Sequence, residues 1–134
     1  MRTVYKWWAA LLLVAIFVQI GLAGYGAFFV AGKVEDKGDF VTHKQFEDGW
    51  GLHMGFGYLV VLGALVLLVL ALIARPGRPL VLLTLGLAVL GIVQVLLAWF
   101  GSSVAAIGAL HPINAVLIAG LTGLLVHRTW NART

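Results

Sequence analysis

Four long apolar segments, at about 7–31, 51–74, 79–100 and 103–127, make up most of this chain of 134 residues. Each segment reaches the roughly 20 apolar residues that a helix needs to cross a lipid bilayer. Because the bilayer core has no water to satisfy peptide groups, such segments are restricted to membrane-spanning helices. Charged residues are only 10% of the chain, whereas soluble domains carry roughly a quarter. The sequence therefore predicts an all-α integral membrane four-helix bundle, with 1–134 as a single transmembrane domain.

The distribution of charge predicts the orientation of the bundle. Basic residues flank the segments at one end: Arg2, Lys6, Arg75, Arg78, Arg128 and Arg133. All five acidic residues fall in the loop at about 32–50, between the first two segments. By the positive-inside rule, we expect both termini in the cytoplasm and the acidic loop outside. The net charge of +4 thus reflects membrane topology and does not indicate nucleic-acid binding. The first segment is longer than a signal-peptide core, so we expect it to be retained as a span.

An internal repeat divides the chain into two helix hairpins. Residues 19–26 align without gaps with residues 94–101, sharing Gln, Leu, Ala and Gly at corresponding places. A Leu-His pair follows each copy, at 52–53 and at 110–111. The pattern predicts a parallel repeat about an axis along the membrane normal. That symmetry would place the two histidines at equivalent positions on either side of the axis.

His53 and His111 are the strongest candidates for a functional site. An ionisable side chain inside a membrane helix is costly and usually marks a site with a specific partner. Neutral imidazole is the commonest metal-ligating side chain, and bundle cores commonly hold cofactors. The pair therefore predicts axial ligation of the iron of a b-type haem. The alternative is that two unrelated buried histidines bond to backbone carbonyls or to neighbouring amides.

The side chains expected around the two histidines form the rest of the candidate cofactor site. They are Gln19, Gly57, Gln94, Asn114, Ala115, Lys44 and Trp50. The glutamines either orient the ligating imidazoles or hydrogen-bond between helices. The small residues either make room for a porphyrin or allow close helix packing. Lys44 and Trp50, with Lys33, lie on the outer side, where haem propionates would emerge.

Two local patterns predict how the histidine-bearing helices begin. Thr42 and Gln45 have the spacing of a capping box, so the second helix is expected to start above the membrane. Pro112 directly follows His111 and disfavours helix at that residue, which predicts a kink or a late helix start. Both histidines are then expected in the outer half of the bilayer.

Other metal sites and other chemistries have less support. Zinc and copper prefer three or four ligands, and only His43 with Glu47 in the outer loop could join the histidine pair. The chain has no cysteine, which excludes iron–sulfur ligation and covalent c-type haem attachment. The spans contain no acidic residue for a proton relay, and no Gly-rich phosphate loop or serine nucleophile arrangement is present. Any redox chemistry must come from a cofactor.

Two motifs relate the chain to known protein families: L-H-x-x-x-G-Y at 52–58 and L-H-P-x-N-A at 110–115. The chain resembles a family of small bacterial four-helix membrane proteins of unknown function, over most of its length except the acidic loop. More distantly it is similar to one half of haem A synthase and to b-type membrane cytochromes. In those proteins, histidines near the outer ends of alternate helices ligate haem, which implies His53 and His111 here. The chain lacks the second half and the cysteine-bearing loop of haem A synthase, so the resemblance implies haem binding rather than haem modification.

The combined interpretation is a b-type cytochrome of the bacterial inner membrane that transfers electrons, with a quinol or a membrane redox protein as candidate partner. Whether it is an enzyme stays open. One alternative is a non-enzymatic accessory or structural bundle. Another is a reversible carrier or sensor of haem or a small molecule. Lipid surrounds the bundle in each case, and glycines such as Gly21, Gly24 and Gly120 allow a homo-oligomer.

Overall fold

The computed structural model describes residues 1–34 and 38–131, and the described part of the chain is helical without strands. The helices are α1 (Arg2–Ala31), α2 (His43–Ala74), α3 (Arg78–Gly101), α4 (Ala105–Gly108) and α5 (Leu110–Asn131). With α4 and α5 counted together, four helices are long and apolar enough to cross a membrane. The predicted all-α class and the four apolar helices are thereby confirmed. Glu35, Asp36 and Arg133, which contribute to the orientation argument, lie outside the described residues.

The helices extend beyond the apolar segments where local chemistry supports them. α2 begins eight residues before 51 because Thr42 caps it. The backbone amide of Gln45 donates to the Thr42 hydroxyl at 3.2 Å, and the backbone amide of Thr42 donates to the Gln45 side-chain oxygen at 2.9 Å. The predicted capping box is confirmed. The helix is interrupted between Gly108 and Leu110, so α5 starts just before His111. Pro112 lies in the first turn of α5, where a missing backbone amide is tolerated.

The helices form a four-membered ring around the bundle axis. α1 packs against α2 and α5, and α3 packs against the same two helices. The repeat-related helices α1 and α3 therefore stand diagonally opposite each other, as do α2 and α5. Because α2 carries His53 and α5 carries His111, the two histidines approach each other across the bundle.

The hydrophobic core lies mainly towards the end where α1 begins, called here the basic end because Arg2, Arg75 and Arg78 surround it. The largest fully buried side chains are Tyr5, Leu67, Leu87, Leu125, Thr84 and Thr122. The Tyr5 hydroxyl donates to the Thr84 hydroxyl at 2.7 Å, and Thr84 donates to a carbonyl of its own helix. This bond joins the diagonal helices α1 and α3 and closes the basic end. The sequence pattern did not predict it.

The opposite end, where α1 ends and α2 begins, is called here the acidic end because Asp39, Glu47 and Asp48 lie there. Here α1 and α2 meet through Gly26 and Gly49. A Cβ atom on Gly26 would lie 2.9 Å from the Gly49 carbonyl oxygen and 3.0 Å from the Trp50 ring. Backbones approach this closely in membranes only through small residues.

Candidate functional site

The structure brings His53 of α2 and His111 of α5 together across the bundle. Their ring centroids are 6.3 Å apart and their ring planes are inclined at 67°. Both histidines are half-buried. The predicted pairing of the two imidazoles is therefore present in the fold.

A backbone carbonyl from the preceding helix contacts Nδ1 of each histidine. Nδ1 of His111 donates to the carbonyl oxygen of Gln94 at 3.1 Å. Since a carbonyl can only accept, this bond places a ring proton on Nδ1, and in the neutral ring Nε2 then keeps its lone pair. Nδ1 of His53 lies 3.3 Å from the carbonyl oxygen of Gln19. The contact thus recurs at the aligned glutamines of the internal repeat.

The Gln19 side chain reaches His53 directly. Its amide nitrogen donates to the His53 carbonyl at 2.8 Å and lies 3.0 Å from Nδ1 of the same residue. A Cβ atom on Gly57 would lie 2.9 Å from that nitrogen, so the missing side chain of Gly57 lets the Gln19 amide approach. The Gln19 side-chain oxygen is buried and has no hydrogen-bond partner in the described part of the chain.

The Gln94 side chain has a different partner. Asn114 is buried, and its amide donates to the Gln94 side-chain oxygen at 2.7 Å and to the Leu90 carbonyl at 3.0 Å. These bonds join α3 to α5 one turn from His111. Ala115, also one turn from His111 and half-buried, adds little bulk there. The second copy of the repeat therefore keeps the backbone contact but directs its glutamine side chain elsewhere.

The two outer-side candidates differ in their position. The Trp50 ring contacts His53 edge-on, with centroids 5.4 Å apart, and stacks on Phe46. Trp50 is therefore part of the site. Lys44 is exposed and forms an ion pair with Asp48 at 3.2 Å along the same helix, and Lys33 lies over the Phe29 ring. Neither lysine has a contact with the histidines.

The structure offers no support for a multi-ligand zinc or copper site. His43 pairs with Glu47 at 3.5 Å, and both side chains are exposed. Within residues 1–34 and 38–131, no group of three or more His, Cys, Asp or Glu side chains is placed to hold a metal ion.

Comparison with known proteins gives one result. The family of unknown function DUF6220 matches residues 38–106, slightly more than half of the chain. The chain belongs to the DUF6220 family. The predicted membership in a family of unknown function is thus confirmed, but its predicted extent is not, because the match includes residues 38–50 of the acidic loop and ends before His111. The matched range contains His53 and Gln94. No match to a curated protein or to a solved structure was found, and the comparisons give no support for similarity to haem A synthase or to b-type cytochromes.

The donor set of this DUF6220 protein fits a bis-imidazole metal complex. Two imidazoles bound to one metal ion at about 2.0–2.1 Å have ring centres roughly 6 Å apart. The observed separation is 6.3 Å. A carbonyl bonded to Nδ1 is the usual arrangement for a ligating histidine, because it fixes the tautomer and makes Nε2 more basic.

Sequence reasoning found the side chains of the site but left their roles open. For the Gln19 and Gln94 side chains it allowed either orientation of the imidazoles or bonding between helices, and the structure shows bonds between helices for both. It also allowed backbone carbonyls as partners of the histidines, and the structure shows that these are the carbonyls of Gln19 and Gln94. It did not predict Leu90, whose backbone carbonyl accepts a hydrogen bond from the Asn114 side chain. Backbone acceptors leave no mark in a residue pattern, and the repeat alignment was the one signal that pointed to these positions.

Proposed function

We propose that this chain is a membrane b-type cytochrome that binds one haem b between His53 and His111 and transfers single electrons. The observation that carries the proposal is the pairing of the two imidazoles across the bundle at 6.3 Å. The carbonyls of Gln19 and Gln94 at the two Nδ1 atoms support it, because in a neutral ring they favour the tautomer with the proton on Nδ1 and the lone pair on Nε2, where iron would bind.

The haem would supply the redox chemistry. This chain's residues bind and orient it: the histidines as axial ligands, and Gln19, Gln94 and Asn114 as the hydrogen-bonding frame behind them. The small residues Gly57 and Ala115 limit the bulk next to the histidines. With both axial positions filled by imidazole, a haem favours electron transfer over oxygen binding.

The direction of insertion and the redox partners are part of the same proposal. The basic end is the cytoplasmic end and the acidic end faces outward, in agreement with the positive-inside rule. This orientation places both termini in the cytoplasm of a bacterial inner-membrane protein, and the histidine pair in the outer half of the bilayer. A quinol or a membrane redox protein would then exchange electrons with the haem.

The proposal is tested by the visible spectrum of the detergent-purified protein, oxidised and dithionite-reduced. We expect a six-coordinate low-spin haem spectrum in the wild type, and loss of that low-spin signature in both His53→Ala and His111→Ala. His127→Ala is the matched control, since His127 is an exposed histidine near the other end of α5 and its loss should leave the spectrum unchanged. Wild-type protein that stays colourless after haem is supplied would contradict the proposal.

The strongest alternative is a non-enzymatic accessory bundle whose polar groups only lock the helices together. The bond from Gln19 to the His53 carbonyl and the bonds of Asn114 favour it, since they connect neighbouring helices without any cofactor. This function predicts colourless protein whose stability falls when Gln19 or Asn114 is truncated. A reversible carrier or sensor would instead show substoichiometric haem that exchanges with added apo-globin.

A further inference from the structure

The two histidines of the pair are held differently, although the repeat makes their positions equivalent. Nδ1 of His111 contacts the carbonyl of Gln94, while the Gln94 side-chain oxygen is engaged by Asn114. Nδ1 of His53 lies near two groups of Gln19, the carbonyl oxygen at 3.3 Å and the side-chain amide nitrogen at 3.0 Å. The first group accepts hydrogen bonds and the second donates them.

One ring nitrogen cannot satisfy both groups of Gln19 at the same time. If Nδ1 of His53 carries the proton, it donates to the carbonyl and Nε2 is free to bind a metal. If Nδ1 accepts from the Gln19 amide, the proton of the neutral ring sits on Nε2, which then has no lone pair for a metal. Ligation through Nε2 of His53 therefore competes with a hydrogen bond from Gln19. In the described structure, His111 has no side-chain amide placed to compete in this way.

We infer, resting on the proposed function, that His53 is the displaceable axial ligand and His111 the permanent one. Gln19 is the positioning residue that makes His53 displaceable. Once His53 is off the metal, its neutral ring keeps one proton and takes the hydrogen bond from the Gln19 amide. The coordination position on the His53 side is then open to a small neutral diatomic ligand of the carbon monoxide class. The exchange would replace the bond from the His53 lone pair to the metal by one bond from the lone pair of the incoming ligand, with no change of oxidation state.

Gly57 provides an independent way to alter the Gln19 amide. A Cβ atom at Gly57 would lie 2.9 Å from the amide nitrogen, so alanine there must push the Gln19 side chain away from His53. Gly57→Ala should therefore act in the same direction as removal of the amide, without changing Gln19 itself.

The experiment compares carbon monoxide binding to the dithionite-reduced haem protein in wild type, Gln19→Leu, Gly57→Ala and Gly55→Ala, by optical titration. Removing the competing donor should tighten the bond from His53 to iron. We expect Gln19→Leu and Gly57→Ala to bind carbon monoxide roughly three- to tenfold more weakly than wild type, the range of one net hydrogen bond. Gly55→Ala is the matched control on the same helix, because a Cβ atom at Gly55 would meet no atom within 4 Å. Its affinity should stay within about twofold of wild type, since no hydrogen bond is gained or lost.

A second comparison identifies which histidine leaves. His53→Ala should retain haem in a five-coordinate form on His111, and added imidazole should restore its low-spin spectrum. His111→Ala should retain several-fold less haem at equal helicity by circular dichroism, because His53 alone must compete with Gln19 for its own ligating tautomer.

The outcomes separate this inference from the proposed function. Wild-type protein without haem would overturn both. A low-spin haem spectrum with equal carbon monoxide affinities in wild type, Gln19→Leu and Gly57→Ala would overturn this inference alone. The inference also fails by itself if Gly55→Ala changes the affinity as much as Gly57→Ala, or if His53→Ala loses more haem than His111→Ala.

Discussion

Replacing Gly26 with alanine should weaken the contact between α1 and α2 at the acidic end. The new Cβ atom would lie 2.9 Å from the Gly49 carbonyl oxygen, 3.0 Å from one atom of the Trp50 ring and 3.2 Å from another. Favourable contacts between heavy atoms occur at about 3.5–4.0 Å. Because the first obstacle is backbone, the clash cannot be relieved by a rotamer change, and the two helices must separate.

The magnitude follows from two opposing effects. Overpacking of a tight contact costs about 1–3 kcal/mol, and the better helix propensity of alanine offsets about 0.5–1 kcal/mol of it. Gly24→Ala in the same helix meets no atom within 4 Å, so it keeps the propensity gain alone. Helix propensity cancels when the two variants are compared. Gly26→Ala should therefore be less stable than Gly24→Ala by about 1–3 kcal/mol, the overpacking term itself.

Unfolding by sodium dodecyl sulfate in mixed micelles, followed by circular dichroism, measures this difference directly. Wild type, Gly24→Ala and Gly26→Ala are titrated in parallel, and their free energies of unfolding are compared under the same detergent. A Gly26→Ala protein that is as stable as Gly24→Ala would refute the argument that the α1–α2 contact depends on the missing side chain.

Two further outcomes follow from the structure. Tyr5→Phe should lower the free energy of unfolding by roughly 0.5–1.5 kcal/mol, because it removes the buried 2.7 Å bond between the Tyr5 and Thr84 hydroxyls. A double-mutant cycle with Thr84→Val should show a coupling energy of about the same size. Additive effects of the two substitutions would show that this bond contributes nothing to stability. Since the chain has no cysteine, single cysteines introduced at Phe40 and Arg78 can report the orientation through a membrane-impermeant maleimide. Phe40→Cys should be labelled in intact cells, whereas Arg78→Cys should be labelled only after lysis. The reverse pattern would overturn the proposed topology.

Much of the architecture was predictable because its causes are local. A span length of apolar residues restricts the backbone to helix whatever surrounds it, so four helices follow from four segments. The start of α2 follows from Thr42 and Gln45, three positions apart. The late start of α5 at Leu110 fits the expected effect of Pro112, although His111 itself is helical. These features depend on neighbouring residues only, and the structure agrees with each of them.

The details of the site were not predictable, because they depend on residues far apart in the chain. Gln19 and Gln94 occupy aligned positions in the repeat, and the sequence alone implied the same role for both. The roles differ because Asn114 on α5 donates a hydrogen bond to the Gln94 side-chain oxygen. Gly57 on α2 leaves room for the Gln19 side-chain amide to reach His53. The backbone carbonyls that contact the imidazoles have no sequence signature at all.

Apolarity, length and capping determine by themselves that this chain forms four membrane-type helices with two histidines among them. Those properties act within a single helix and over a few residues. The tertiary structure alone decides that α2 and α5 stand diagonally opposite, that their imidazoles lie 6.3 Å apart, and that Gln19 contacts one of them while Gln94 turns to Asn114. Lipid surrounds every helix alike, so apolarity cannot specify which faces meet, and the close fit of small residues and interhelical hydrogen bonds selects the arrangement.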